Sequence, residues 1–453
     1  MSLINHTLRK IHPDKTMKKN DDNLKKAAVA SFVGSFIEWF DYASYGYMVT
    51  ILAVIFFPGE DHITGLIAAY AVFALSFFIR PFGGIFWGWL GDRTGRRKAL
   101  SYSIITMSVA TTLIAFLPTY KEAGFISPLL LILARTAQGF SASGEYAGGA
   151  VFLYEYAPDN RKGFYTSLIP ASTATGLLFG SLFVAGMYIA LSTEALYSWG
   201  WRIPFFLAAP SGFIGWYIRT KVNDSPSFRK SVHSRKENIS MKSLFRKQSR
   251  RIITGWGVSC LNAVAFYLLL SYLPTWLITY QGVPEKYSFM ISTCILLLYI
   301  FMVILMGWVS DHLGRKSILL TASGCFIVFS LPFFMIINNN SENLLLIAIV
   351  YCFLVLFLAM NDGTASCFLC NLFPVQFRYT GFAFSFNCAN TLLGGTTLLI
   401  STELIKLSGS PVSPVFFLIF SAVIALLSII LNRNLLREKN VPDNPGFSQK
   451  ITE

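Results

Sequence analysis

Charged residues are scarce in this chain of 453 amino acids. Only 13% of the residues are Asp, Glu, Lys or Arg, which is about half the share of a soluble domain. Hydrophobic residues make up 54%, so the composition excludes a disordered chain, a collagen-like fibre and a small disulfide scaffold.

Residues and motifs for catalysis are also missing. The five His have no zinc-type spacing, and the chain has neither a Gly-x-x-x-x-Gly-Lys loop nor a Ser elbow. The seven Cys lie inside or beside apolar runs of the second half, and the Cys367-x-x-Cys370 spacing lacks a second ligand pair. The sequence therefore predicts no enzyme, no cofactor, no metal site and no structural disulfide.

Apolar runs of about 20 residues, the length that crosses a ~30 Å hydrocarbon core, are abundant instead. Their hydropathy predicts an all-α membrane protein with twelve transmembrane helices. In the first half they cover about 27–57, 63–90, 99–118, 126–153, 164–191 and 201–219. In the second half they cover about 252–280, 287–309, 317–337, 343–371, 381–405 and 412–432.

The formal charge of +14 follows the topology of these helices. Of 37 Lys and Arg, 31 lie in segments on the side of the N-terminus and three in the opposite loops. Translocation of basic loops is disfavoured, so both termini are predicted to be cytoplasmic. The lipid bilayer explains the basic charge, and no nucleic acid partner is expected.

Two motifs recur at nearly constant spacing and divide the chain into halves. Asp, Gly and Arg of Gly91–Lys98 recur 219 positions later in Ser310–Lys316, and Pro158–Gly163 recurs 216 to 218 positions later as Pro374–Gly381. Such duplication is typical of transporters whose halves rock around a midplane site. The predicted divisions are a tail (1–26), a six-helix bundle (27–219), a linker (220–251), a second six-helix bundle (252–432) and a tail (433–453).

At the first repeat the chain resembles the major facilitator superfamily, because Gly88, Asp92, Arg93, Gly95, Arg96, Arg97 and Lys98 match its motif. Further stretches make it similar to the metabolite:proton symporters, which include proline/betaine, α-ketoglutarate, citrate and shikimate carriers. These stretches are Gly34…Glu38-Trp39-Phe40-Asp41, Arg80-Pro81-Phe82, Arg135…Gln138-Gly139, Gly144-Glu145-Tyr146, Glu155…Pro158, Gly200-Trp201-Arg202 and Phe373-Pro374…Arg378.

This resemblance implies the major facilitator fold and a cytoplasmic gate between the two bundles. The implied gate residues are Gly88, Asp92, Arg93, Gly95, Arg96, Arg97, Asp311, Gly314 and Arg315. The chain departs from the family at Ser35, where members commonly have Asn, and at Asn371, where many have Glu.

Ionised groups within membrane spans are costly, so each is a functional candidate. We expect Glu38, Asp41 and Glu145 to couple protons, because a carboxyl can take up and release one in each cycle. We expect Arg80, Arg135, Trp39, Tyr42 and Tyr45 to bind substrate, since an arginine matches a carboxylate and the rings can hold a quaternary ammonium. The alternative is that these charges only pair with one another and hold the helices together. However, the two acids Glu38 and Asp41 against the single base Arg80 leave a net charge that such pairing does not explain.

The sequence thus predicts a proton-coupled importer of a small carboxylate-bearing metabolite or osmolyte in a bacterial inner membrane. A zwitterion such as proline or glycine betaine fits slightly better than a dicarboxylate or tricarboxylate. An exporter, an antiporter and a transporter-like sensor on the same fold stay open. Small-molecule substrate and protons are the expected partners, and the protein is expected to be a monomer.

Overall fold

The computed structural model describes residues 15–58, 62–225, 228 and 241–432. The predicted tail 433–453, half of the N-terminal tail and much of the linker lie outside these residues. Within the described ranges every regular element is helical, and no strand is present.

The first half begins with a helix that starts earlier than the predicted span. Lys15 is the first residue of this helix among those that the structure describes. The helices of this half are α1 (Lys15–Tyr47), α2 (Val49–Phe56), α3 (His62–Phe78), α4 (Arg80–Thr94), α5 (Arg96–Ala115), α6 (Tyr120–Ala123), α7 (Ile126–Ala142), α8 (Glu145–Tyr156), α9 (Lys162–Ala190), α10 (Thr193–Ser198) and α11 (Ile203–Thr220).

The second half contains two helical stretches that are interrupted by π-helical turns. These turns cover Tyr267–Tyr272 and Asn390–Gly394. The α-helices of this half are α12 (Met241–Lys247), α13 (Ser249–Phe266), α14 (Leu273–Gln281), α15 (Glu285–Leu313), α16 (Arg315–Asn339), α17 (Leu344–Leu372), α18 (Arg378–Ala389), α19 (Thr397–Ser408) and α20 (Pro414–Leu431).

Local sequence accounts for several helix ends. Proline occupies the first turn of α4, α11, α14 and α20, where its missing N–H has no intrahelical partner in any case. Gly282 and Gly409 follow the last residues of α14 and α19 with φ values of 67° and 66°, a left-handed backbone that ends a helix.

Each predicted span coincides with a helix or with consecutive helices. Among the described residues, eight helical stretches are long and apolar enough to cross a membrane, and α1 with α2, bent by 65°, makes a ninth. The predicted spans 126–153, 201–219 and 381–405 are helical but more polar or interrupted. The count of twelve is consistent with the structure and stays a prediction.

Helix packing repeats from one half to the other. In the first half α1 packs on α9 and α5 on α11, and in the second half α13 packs on α18 and α16 on α20. The contacts between the halves repeat in the same way, because α9 packs on α15 and α4 on α18. These pairs support the duplication inferred from the motifs.

Two glycines allow the close packing of α1 and α9. A Cβ on Gly176 would lie 2.5 Å from the carbonyl oxygen of Phe36, and one on Gly180 would lie 2.6 Å from the Cβ of Ala43. The spacing of these glycines, four residues apart, therefore serves close helix packing. The end of the molecule that carries the loops after α4, α8, α15 and α17 is called the motif end below.

Candidate functional site

The first acid–base pair joins α1 to α4. Glu38 and Arg80 are both buried, and Nη2 of Arg80 donates to Oε1 of Glu38 at 3.0 Å. The Arg80 guanidinium lies 4.6 Å from the ring centroid of Tyr42 and 4.7 Å from that of Phe77. The structure thus brings together Glu38, Arg80 and Tyr42, three of the predicted site residues.

A second acid and base lie beside this pair. Asp41 and Arg135 are buried, and their charges interact. Nη1 of Arg135 donates to Oε1 of Gln138, whose Nε2 donates to Oγ1 of Thr111 at 2.8 Å. The expectation of two acids against one base is wrong, because Arg135 supplies a second base to the same group.

Tyr45 holds Arg135 in place. The guanidinium lies 3.9 Å from the centroid of the Tyr45 ring, and the tyrosine hydroxyl donates to the carbonyl of Ala69 at 3.1 Å. One face of this ring is therefore occupied by a protein cation. A direct role of Tyr45 toward substrate stays a prediction.

The space between the halves is lined with aromatic rings from both. The ring centroid of Trp39 lies 5.2 Å from that of Phe266 and 6.3 Å from that of Tyr267, and Tyr267 lies 6.1 Å from Phe77. Trp39 also lies 6.3 Å from Tyr42. Aromatic faces of this kind can accommodate a cation.

Several buried polar atoms in this region have no hydrogen-bond partner within the described part of the chain. They are Oε2 of Glu38, Oδ2 of Asp41, Nε of Arg80, Nε1 of Trp39 and the hydroxyls of Tyr42 and Tyr267. Buried polar groups are usually paired with protein or water. A group of such donors and acceptors between the two halves is therefore a candidate place for a polar ligand.

Sequence reasoning missed Tyr267 as a member of this region. It begins the π-helical turn Tyr267–Tyr272, and Gly394 of the other π-helical turn packs against its ring, where a Cβ would come within 2.9 Å. Single π turns inside α-helices are frequent at functional sites. An aromatic residue among 20 Tyr and 41 Phe carries no signal of its own, so only the packing reveals this position.

Glu145 lies apart from this group, in a bidentate ion pair. Nη1 and Nη2 of Arg219 donate to its two carboxylate oxygens at 3.0 and 2.5 Å, and the Ser103 hydroxyl donates to it as well. Arg219, the last residue of the predicted span 201–219, is itself buried in this pair. Gly34 leaves room for the pair, since a Cβ there would overlap the guanidinium.

Two further acids of the second half differ in their surroundings. Asp362 is fully buried in α17. Glu403 of α19 lies 4.0 Å from Lys406, and the side chain is 50% exposed. Glu403 is therefore not part of the region between the halves.

The first gate motif contacts the second half at the motif end. Oδ2 of Asp92 accepts hydrogen bonds from the backbone N–H and the hydroxyl of Thr380 at 2.9 and 2.7 Å, and Oδ1 accepts from the N–H of Tyr379 at 3.3 Å. These donors lie in the first turn of α18, where the helix dipole favours a negative charge. Gly88 allows the approach, because a Cβ there would press on the backbone of Thr380.

The repeated motif in the second half makes the equivalent contact with the first half. Oδ1 and Oδ2 of Asp311 accept from the N–H groups of Gly163 and Phe164, at 2.7 and 2.9 Å, in the first turn of α9. Arg315 donates to the same carboxylate at 3.1 Å. Both motifs therefore cap a helix of the opposite half.

Glu155 connects the first motif to the second half by charge. Its Oε1 accepts from Arg96 and from Arg378, each at 3.2 Å, and its Oε2 accepts from the Ser225 hydroxyl at 2.5 Å. Arg96 also pairs with Asp92 at 3.1 Å. Sequence reasoning quoted Glu155 as a motif residue but assigned it no role in the gate.

Asn371 stands 216 positions after Glu155 and takes the corresponding place in the second half. Its Oδ1 accepts a hydrogen bond from the Tyr154 hydroxyl at 3.1 Å. An amide is neutral, so this place carries no charge equivalent to that of Glu155.

The remaining motif residues shape the loops. Gly95 and Gly314 adopt φ values of 117° and 91°, which L side chains rarely adopt. The backbone N–H of Arg97 donates to Oδ1 of Asp224 at 2.9 Å, and Arg93 lies 5.3 Å from the Trp89 ring centroid. These two arginines face the linker edge and their own helix, in contrast to the buried Arg96.

Comparison with known proteins places this geometry in a family. Residues 31–396 match the model of the Major Facilitator Superfamily. The chain belongs to this superfamily. The assignment confirms the predicted fold and the predicted class, a transporter and not an enzyme.

Transporters named for proline and betaine are among the relatives of this superfamily member. The glycine betaine/proline/ectoine/pipecolic acid transporter OusA of Dickeya dadantii is 35% identical over 423 residues, which cover 90% of this chain and 83% of OusA. The proline/betaine transporter of Escherichia coli K12 is 34% identical over the same shares.

A solved structure shares the fold. The proton:xylose symporter XylE bound to 6-bromo-6-deoxy-D-glucose aligns with a TM-score of 0.74, covering 92% of this chain and 96% of XylE. Sequence identity is only 15%, so this likeness concerns the fold alone.

Proposed function

We propose that this superfamily member imports a small zwitterionic solute, of the proline or glycine betaine type, together with protons. The observation that carries the proposal is the group of unpaired buried polar atoms between the halves, beside Arg80 and the rings of Trp39, Tyr42 and Tyr267. Relatives named for proline and betaine support the same substrate class.

Charge balance favours a solute without net charge. Within the first half, the carboxyls of Glu38 and Asp41 match Arg80 and Arg135 in number. A zwitterion keeps this balance, with its carboxylate toward an arginine and its ammonium toward the aromatic faces. A tricarboxylate would add negative charge that no further buried base offsets, at a cost that low-dielectric surroundings increase.

A dicarboxylate or tricarboxylate such as α-ketoglutarate or citrate is the second candidate. The observation in its favour is that three nitrogen atoms of Arg80 and Arg135 have no hydrogen-bond partner among the described residues: Nε of Arg80, and Nε and Nη2 of Arg135. Competition between these acids and glycine betaine for one site distinguishes the two classes.

We assign the coupled proton to the carboxyls on α1. Glu38 is ion-paired with Arg80. Asp41 forms no ion pair within 4.0 Å in the described part of the chain, and its Oδ2 has no hydrogen-bond partner there. Asp41 is thus better suited to change its protonation than Glu38. Glu145, held by two hydrogen bonds from Arg219, has a supporting role in this proposal.

The motif end is the cytoplasmic end in this proposal, and its contacts close the inner gate. Asp92 and Asp311 each bridge the halves there, which corresponds to a conformation that admits substrate from outside. The excess of basic residues at this end supports cytoplasmic termini in a bacterial inner membrane. The protein acts as a monomer, since each half completes the site of the other.

The test uses purified protein in liposomes with an imposed proton gradient. Radiolabelled glycine betaine and proline should accumulate, a protonophore should abolish accumulation, and replacing sodium by choline should have no effect. Protein-free liposomes are the control. Uptake that persists with the protonophore but needs sodium contradicts the proposal, outward pumping indicates an exporter, and binding without transport indicates a sensor.

A further inference from the structure

Asp362, in α17, is a buried carboxyl surrounded only by neutral donors. Oδ1 accepts from Nδ2 of Asn262 at 2.7 Å and from Nδ2 of Asn361 at 3.1 Å, and Oδ2 accepts from the Tyr299 hydroxyl at 2.6 Å. These three donors use most of the hydrogen-bonding capacity of the carboxyl. A carboxylate has about four acceptor positions, so one stays open for a ligand.

No cation of the described chain neutralises this charge. None of its ion pairs includes Asp362, whereas Glu145, which lies 217 positions earlier at the matching level of the first half, has a bidentate arginine. An isolated buried anion is costly, and such groups are normally paired. A cation that enters between the halves would supply the positive partner that the described residues do not provide.

Aromatic side chains connect Asp362 to the Arg80 region. The ring of Tyr299, which donates to Asp362, lies 6.3 Å from Phe266, and Phe266 lies 5.2 Å from Trp39. The Tyr146 hydroxyl lies 3.2 Å from that of Ser366, one turn beyond Asp362, and the tyrosine is within electrostatic range of both Asp362 and Glu38. Asp362 in the second half and the Arg80–Glu38 pair in the first half thus face the same interface.

We propose that Asp362 is the counter-charge for the cationic part of the transported solute. Arg80 in the first half binds the carboxylate, and Asp362 in the second half attracts the ammonium across the aromatic rings. A zwitterion then links the two halves electrostatically, while a simple carboxylate engages only one of them. This assignment rests on the proposed function and specifies which residue selects a zwitterion.

The experiment compares two ligands that differ only in charge. Glycine betaine and 3,3-dimethylbutanoate have nearly the same shape, but carbon replaces the quaternary nitrogen in the second. Binding of each to the full-length protein is measured for the wild type, Asp362→Asn and Tyr299→Phe. Tyr299→Phe is the matched control, because it removes one donor but keeps the charge.

The wild type should prefer betaine by about tenfold or more, as close buried charges do in other complexes. Asp362→Asn should lose this preference by weakening betaine alone, and Tyr299→Phe should retain it. Removal of an unpaired buried charge should leave the melting temperature of ligand-free Asp362→Asn unchanged or raise it. If Asp362→Asn does not fold, Asp362→Glu, which keeps the charge, should preserve the preference.

Three results would overturn the assignment. A wild type that binds both ligands equally has no counter-charge for the ammonium. An Asp362→Asn protein that keeps the preference but loses proton dependence identifies Asp362 as a proton site. A wild type that binds neither betaine nor proline contradicts both the proposed function and the assignment of Asp362. Unchanged selectivity of Asp362→Asn, by contrast, contradicts the assignment alone.

Discussion

Replacement of Arg219 by Met should destabilise the protein through the charge that it leaves behind. In the structure Glu145 is fully buried and accepts three hydrogen bonds, two from Arg219 and one from Ser103. Without Arg219 only the neutral serine donor remains. Stranding one partner of a buried ion pair typically costs about 3–5 kcal/mol, and we expect Arg219→Met to fall in this range.

The double variant Glu145→Gln/Arg219→Met should recover most of this loss. Exchange of a whole buried pair for neutral groups is often close to neutral in stability, since the desolvation cost of both ions disappears with their attraction. The double variant should therefore be more stable than Arg219→Met, so that the effects of the two substitutions are far from additive.

Thermal inactivation rates in detergent provide the measurement, because membrane proteins often unfold irreversibly. The control is Glu403→Gln, which removes an exposed acid 4.0 Å from Lys406 and should change stability by less than about 1 kcal/mol. If Glu145→Gln alone is as stable as the wild type but fails to accumulate substrate, the reasoning is refuted and Glu145 carries the proton.

Three further tests concern the site and the gate. Arg80→Lys keeps the charge but loses the two parallel hydrogen-bond donors of the guanidinium, so substrate affinity should fall by about 5- to 150-fold. If the variant folds poorly but binds substrate normally, Arg80 has a structural role instead. Asp41→Asn should still exchange substrate in counterflow assays but should not concentrate it. Glu38→Gln should behave in the same way and should also lower the melting temperature, because it leaves Arg80 without its ion-pair partner. If both variants accumulate substrate, neither carboxyl carries the proton. Asp92→Asn should speed amide hydrogen exchange at the start of α18. The effect should exceed that of Thr380→Val, which removes a single hydrogen bond of 2.7 Å. Equal exchange in the wild type and in both variants would mean that Asp92 does not hold the gate.

Local patterns in the sequence were sufficient for the helices, the duplication and part of the site. Glu38 and Arg80 were predicted together because both are charges at similar depth in neighbouring spans, and the structure pairs them at 3.0 Å. The resemblance of the repeated motifs to those of the superfamily implied a gate between the halves, and Asp92 and Asp311 contact the opposite half in the structure.

Pairings that depend on how helices pack were not predictable in this way. Glu145 and Arg219 are 74 residues apart in the sequence. The sequence does not distinguish an arginine at the end of a span that fixes membrane topology from one that forms a buried ion pair. Tyr267 reaches the site through a π-helical turn, which shifts the helical phase without any distinctive residue. Both features are decided by tertiary contacts.

The neutral Asn371 makes the two sides of the gate unequal in their response to salt. On one side Glu155 joins Arg96 and Arg378 through charge, while on the other Asn371 contributes an uncharged hydrogen bond to Tyr154. As the gate loosens and water enters, ions screen the attraction of Glu155 for its two arginines far more than the hydrogen bond of the neutral Asn371. If the motif end is the cytoplasmic gate, as proposed, its opening rate should therefore rise with cytoplasmic ionic strength, because the attraction within the Glu155 cluster weakens.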